Sequence, residues 1–152
     1  MHDETVAIHG GYVADATRAV AVPIYQTIAH AFIDAEHAGA VFDLEVPGFH
    51  YNRINNPTND VLERRLAAME KGTAALVVAS GMAAVNYAVL TVAAAGSNLV
   101  VAPQLYGATY TWFAHVLPTL GIEVRFSEDD RASAMAPLID DRTAAVFFET
   151  VG

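Results

Sequence analysis

From Asn56 onward, apolar residues follow two alternating rhythms, one helical and one of short unbroken runs. Val61, Leu62, Leu66 and Met69 share one helical face, with Thr58 as N-cap behind Pro57 and Lys71-Gly72 as the stop. The spacing predicts a helix over 58–71. The run AALVVA at 74–79 has no polar alternation, as expected of a strand covered on both faces. Ser80-Gly81 then opens a second helix over 81–94, stopped by Gly96. Residues 99–102 repeat the buried-strand pattern, 107–119 read as helix ahead of Gly121, and 123–126 form a more polar strand placed nearer an edge. Asp129 or Asp130 can cap a short helix ending at Leu138, and 144–149 is another buried strand. Four strands alternating with helices predict a mostly parallel sheet wrapped on both faces. A core strand is seldom the last element of such a domain, so the fold reads as interrupted.

Residues 1–56 differ in character. They show turn signals at Gly10-Gly11, Pro23, Gly39 and Pro47-Gly48, scattered aromatics and no sustained periodicity. A stretch rich in Tyr, Phe, Ile and Val but poor in regular pattern is expected to pack on another surface, such as a partner subunit. The chain therefore divides near Pro57 into an inter-subunit arm, 1–56, and an incomplete α/β domain, 57–152.

Composition narrows the chemistry. With 152 residues, 54% apolar and 16% charged, and a mean hydropathy of +0.32, the chain is no disordered tail and has material for one core. Eight basic against seventeen acidic residues give a net charge of −9, which argues against a nucleic-acid or anionic-membrane surface. The N-terminus lacks a basic segment followed by an apolar one, and the longest apolar tract, 74–95, is broken at Ser80-Gly81 and Asn86-Tyr87. A soluble, cytoplasmic protein is expected. Without cysteine there is no disulfide, thiolate nucleophile or thiolate zinc site. Seven of the eight cations are arginines, so lysine chemistry within these residues falls to Lys71. The six histidines show no ligand spacing, and no metal is expected. His115 reads as a packing residue on an apolar helix, and the pairs Asp129-Asp130 and Asp140-Asp141 as solvated. No GxSxG elbow occurs.

In open parallel sheets ligands bind beyond the carboxyl ends of the strands. After the first predicted strand stands ASGMAA at 79–84, a glycine opening a helix whose free N–H groups could take a phosphate. The plainer alternative is that Ser80 caps the helix and Gly81 relieves crowding against the sheet. After the second strand, Tyr106 can lie flat on a planar heterocycle, or be a partly buried tyrosine satisfied locally. At the end of the arm, Tyr51 and Arg53 are two apart, so an extended segment would project both from one side to hold two phosphate oxygens. They could equally be an interface or surface pair.

Taken together, the order and wording of these segments are distinctive. PIYQT at 23–27, YNRINNPT at 51–58, EKGTAALVVASGMAA at 70–84, LYGATY at 105–110 and FFET at 147–150 resemble the N-terminal part of the Cys/Met-metabolism enzymes that use pyridoxal 5′-phosphate. Within that family, the FDL at Phe42 and YGATY from Tyr106 are most similar to O-acetylhomoserine sulfhydrylases. The resemblance implies a fold-type I transferase: an N-terminal arm plus the first half of the large, mostly parallel-sheet cofactor domain. It also implies γ-replacement on O-acetylhomoserine by sulfide or a thiol, in methionine biosynthesis, with cystathionine synthesis or γ-elimination as relatives of that reaction. Outside the family, a non-catalytic fragment or an unrelated phosphate-binding module stays open.

The resemblance assigns roles residue by residue. Gly81 and Met82 would offer backbone N–H groups to the coenzyme phosphate, and Tyr106 would stack on its ring and pass protons. Tyr51 and Arg53 would reach the phosphate of a neighbouring subunit's coenzyme, which implies a homotetramer, a dimer of dimers with shared sites. Glu149 occupies a position near the coenzyme. The amino-acid substrate is a small molecule. Family members carry the coenzyme as a Schiff base on a lysine, with an aspartate against the pyridine nitrogen, in sequence beyond the matched part. Lys71, at a predicted helix end before Gly72, is not read as that lysine.

Overall fold

A computed structural model describes residues 2–151. The chain falls into two compact units that meet in sequence between Val77 and Val78.

The first unit holds three helices, α1 (Asp3–His9), α2 (Ala35–Phe42) and α3 (Pro57–Met69). The first two lie in the stretch read as aperiodic; at seven and eight residues they are too short to display a repeat. The Asp34 side chain caps α2 by accepting the His37 N–H at 2.8 Å. The cap of α3 is Asn56, whose side-chain oxygen Oδ1 accepts the Thr58 N–H at 2.8 Å, with Pro57 in the first turn where its missing N–H costs nothing. The same cap fastens the Pro23–Tyr25 backbone: the Asn56 amide donates to the Tyr25 carbonyl (3.0 Å), and the Thr58 hydroxyl donates to the Pro23 carbonyl (3.1 Å) while accepting the Tyr25 N–H (2.9 Å). At the other end of α3, the Gly72 N–H closes on the Ala67 carbonyl at 2.8 Å, and the left-handed residue is Lys71, φ 55°, rather than the glycine beside it.

Residues 74–79 form no strand. Among the described residues they have no ladder partner, and Leu76 is 70% exposed. A β-branched run specifies extended chain, yet it becomes a strand only where another strand supplies the hydrogen bonds. Here Val77 donates its N–H to the Glu63 carboxylate instead, at 2.9 Å.

The second unit contains α4 (Gly81–Val92), β1 (Asn98–Val101), α5 (Gly107–Thr111), β2 (Glu123–Phe126), α6 (Ala132–Met135) and β3 (Thr143–Phe147). The strands make a wholly parallel sheet in the order β2-β1-β3. Among the described residues three strands are thus formed where four were expected, with the polar strand β2 at an edge as its composition implied. All of β1 is buried. Leu99 and Val101 enter a core with Val89, Phe113 and Leu117, whereas Val100 and Ala102 pack on Met135 and Leu138. Helices therefore cover both faces, and the run LVVA has no reason to alternate.

The helix predicted at 107–119 is helical to Leu120 but changes pitch, with α5 followed by a π turn at Trp112–Val116 and a 3₁₀ turn at Leu117–Leu120. Pro118 lacks the N–H that an α-helix would bond to Ala114, and the ladder widens before it and tightens after it. His115 sits in the π turn and is exposed, so it is not the packing residue expected. The loop before α6 also differs. Asp129 accepts the Arg131 N–H at 2.9 Å and pairs with its guanidinium, but α6 itself starts after Arg131 without a side-chain cap.

Asp140 is exposed, as expected of a solvated acid, but it is also tied to partners. At the amino end of the sheet the fully buried Asn98 donates to its carboxylate at 2.7 Å and accepts the Thr143 hydroxyl at 2.8 Å. Arg125 adds an ion pair to Asp140 at 2.9 Å. The Asn98 hydrogen bond, the Arg142 backbone N–H and the Arg125 cation hold the Asp140 carboxyl far below the usual carboxylate range. Among the described residues no helix is long and apolar enough to cross a membrane.

Candidate active site

The sheet order places a topological switch at the carboxyl ends of β1 and β3, because the chain leaves β1 toward β2 and later returns to β1's other side. Two helices start near that end. Ser80, in extended backbone, opens α4 with its hydroxyl oxygen accepting the Ala83 N–H at 3.1 Å and its carbonyl accepting the Ala84 N–H at 3.1 Å. The N–H groups of Gly81 and Met82 are left without an acceptor among the described residues. The first turn of α4 carries no acid, and a Cβ built on Gly81 meets nothing within 4 Å. Ser80 is thus the cap that the plain reading expected, but Gly81 relieves no crowding. Two free donors stand at a positive helix end, with open space where a Gly81 Cβ would be.

The second start is α5. Tyr106 is its N-cap residue but contributes no side-chain cap, and the residue is 63% exposed. Glu149, two residues beyond β3, supplies what is missing: its carboxylate accepts the Tyr106 N–H at 2.7 Å and the Thr109 hydroxyl at 2.7 Å. Thr109 is 1% exposed, and its oxygen lies 3.7 Å from the Met82 sulfur. Gly81, Met82, Tyr106 and Glu149 therefore belong to one cluster at one end of the sheet. Thr109 was missed in the sequence, and Glu149 was noted there only through the resemblance. The available signal was a carboxylate closing an otherwise apolar strand, a costly residue to place there without a partner.

In the first unit, Tyr51 and Arg53 do adjoin, with the guanidinium carbon 5.1 Å from the centre of the Tyr51 ring. The cause is not strand alternation. Tyr51 makes an antiparallel bridge to Ala29 and then starts a turn in which its carbonyl accepts the N–H groups of Ile54 (2.9 Å) and Asn55 (3.2 Å). The turn folds Arg53 back over the ring. Asn55 fixes the approach by donating to the Gly48 carbonyl at 2.8 Å, and a Cβ on Gly48 would lie 2.6 Å from Val41. Both Tyr51 and Arg53 remain exposed.

A family model described as Cys/Met metabolism PLP-dependent enzyme matches residues 4–152. The chain belongs to that family. It is 47% identical over 154 residues to O-acetyl-L-homoserine sulfhydrylase 1 of Thermus thermophilus, covering all of this chain and 37% of that protein. It is 45% identical over 152 residues to homocysteine synthase of Schizosaccharomyces pombe, covering 99% of this chain and 35% of that protein. A crystal structure from Campylobacter jejuni, described as an O-acetylhomoserine (thiol)-lyase carrying N′-pyridoxyl-lysine-5′-monophosphate, superposes with a TM-score of 0.89 at 42% identity, over 99% of this chain and 37% of that one. The chain spans about a third of the length of the curated relatives it matches.

The fold-type I expectation thus holds, and pyridoxal phosphate is the family's coenzyme. The residues present fit its anionic end. Two unpaired N–H groups, a helix dipole, no competing carboxylate in the turn and no side chain at Gly81 make a donor set suited to phosphate.

Proposed function

We propose that this chain forms the phosphate-binding and ring-binding part of a pyridoxal-phosphate enzyme that replaces the γ-acetoxy group of O-acetylhomoserine with sulfide or a thiol. The observation that carries the proposal is the junction of Met82 with Thr109, which brings the first turns of α4 and α5 together at the carboxyl end of a parallel sheet. The relatives named above supply the substrate class.

Gly81 and Met82 hold the phosphate through their N–H groups. Tyr106 lies against the ring, with its exposed phenol free to take a proton from, or return one to, the reacting amino acid. When bound, the coenzyme supplies an electron sink for carbanions at Cα and Cβ of the amino acid. Tyr51 and Arg53 bring a phenol and a guanidinium to the phosphate of a neighbouring subunit's coenzyme, so residues 1–56 act as an arm between subunits of a cytoplasmic homotetramer. Exposed apolar side chains on that segment support the arm: Val13, Val20, Ile33 and Leu44 are each more than 80% exposed in the isolated chain. Lys71, in left-handed backbone at the end of α3, is given no part in the chemistry.

The test is incubation of the holoenzyme with O-acetylhomoserine and sulfide. Homocysteine and acetate in equal amounts are expected. An α-keto acid with ammonia would assign γ-elimination instead, and a protein that retains no visible coenzyme absorbance would overturn the reading.

A further inference from the structure

We propose that Glu149 is a positioning residue: its carboxylate, fixed at the end of β3, sets where Tyr106 stands relative to the phosphate-binding turn of α4. The proposal rests on the reading of Tyr106 as the ring-binding residue and adds the device that holds it there.

Three observations carry it. First, α5 starts without a cap of its own, and Tyr106 is the residue whose side chain would have supplied one. An aromatic ring committed to a ligand cannot also cap a helix. Glu149 takes over that task from another element, accepting the Tyr106 N–H at 2.7 Å, with its charge at the positive end of the helix.

Second, the other carboxylate oxygen accepts the Thr109 hydroxyl at 2.7 Å. Thr109 has one hydroxyl proton for two neighbours, the Glu149 oxygen and the Met82 sulfur at 3.7 Å. The anionic oxygen is the stronger acceptor and takes it, leaving the sulfur in contact with the hydroxyl oxygen. One side chain therefore clamps the first turn of α5 at two points, and the second point rests on the first turn of α4.

Third, the clamp is protected while the ring is not. Thr109 is buried and Glu149 half-buried, but the Tyr106 ring projects into open space. Backbone fixation with side-chain freedom is the arrangement a stacking residue needs, since pre-ordering lowers the cost of binding a flat ligand.

Amide hydrogen exchange at Tyr106, read in the holoenzyme together with the circular dichroism of the coenzyme's visible band, tests this. Glu149→Ala is expected to speed Tyr106 exchange roughly tenfold and to weaken the visible dichroism, because the N–H loses its acceptor. Glu149→Asp, which keeps the charge but shortens the reach, is expected to do the same and covers the case in which the alanine variant fails to fold. Glu149→Gln is expected to retain both signals, since its carbonyl can accept the Tyr106 N–H while its amide donates to the Thr109 oxygen. Wild-type exchange in the aspartate variant would overturn the proposal, as would faster exchange with unchanged dichroism or a glutamine variant that behaves like alanine. Exchange at Tyr106 is measurable without coenzyme, so a wild-type protein lacking visible absorbance sinks the functional reading and leaves the clamp to be judged separately.

Discussion

The Thr109 hydroxyl lies 3.7 Å from the Met82 sulfur, so the first turn of α5 rests against the first turn of α4. Two residues separated by 27 in sequence, each in the first turn of its helix, meet above one sheet end. The free N–H groups of Gly81 and Met82 and the ring of Tyr106, proposed to hold the coenzyme, are thereby tied through protein, and perturbing either start has a defined consequence.

Gly81→Ala separates a structural glycine from a ligand-facing one. The added Cβ meets no protein atom, and alanine is the better helix former, so stability should stay within about 1 kcal/mol of wild type or rise. Coenzyme affinity should fall roughly tenfold or more, as the methyl group enters the space the phosphate needs. Thermal denaturation of the apoprotein and coenzyme titration read the two effects independently.

Tyr106→Phe keeps the ring and removes the phenol. Coenzyme retention should be unchanged, while kcat drops roughly a hundredfold if the hydroxyl moves a proton in the rate-limiting step. Unaltered turnover would remove the acid–base role and leave stacking.

The proposed sharing of sites between subunits predicts complementation. Arg53→Ala and Tyr106→Phe should each be poorly active alone, because each assembly lacks one group in every site. Mixed assemblies of the two should regain activity, since some sites then receive Arg53 from one subunit and Tyr106 from the other. Activity no higher than the mean of the two parents would place Arg53 outside the site.

Lys71→Gly should stabilise the protein by about 0.5–1 kcal/mol, because the left-handed conformation costs a lysine what it does not cost a glycine, less the entropy glycine adds to the unfolded chain. Coenzyme content should not change. Denaturant unfolding monitored beside visible absorbance tests both statements.

Asp140 gives the acid limb of stability a predictable sign. Its carboxyl is held below the ordinary value in the folded state, so on acidification the unfolded chain takes up the proton first. The contribution is fully present above the unfolded value, near pH 4, and is lost progressively as pH falls through the folded value. Asp140→Asn should therefore be less stable than wild type near neutrality and show a shallower loss below about pH 4. Parallel acid-denaturation curves would contradict the assignment.

Much of the second unit was readable in the sequence because its patterns were local. The unbroken run at β1 announced a strand covered on both faces, and Ser80-Gly81 marked the start of α4 to the residue. What failed depended on partners distant in sequence. Residues 74–79 have strand composition, but a ladder is a property of pairs. Asp140 is exposed as read, but nothing nearby in sequence reveals that Asn98, 42 residues earlier, donates to it. Glu149 entered only through the resemblance, since its grip on Tyr106 spans 43 residues. Tyr51 and Arg53 were paired correctly on a mistaken geometry: a turn, not an alternating strand, brings them together.

The wide turn at Trp112–Val116 has an evolutionary corollary. A helix that closes on the fifth residue instead of the fourth holds one residue more than the regular register requires. Deleting one residue there would return the turn to α geometry with Thr109 and Leu117 still facing their present neighbours. An insertion elsewhere between Gly107 and Leu120 would rotate one flank by about 100° and pull either the buried leucine or the clamped threonine out of place. Natural length variation in this helix should therefore collect in that single turn.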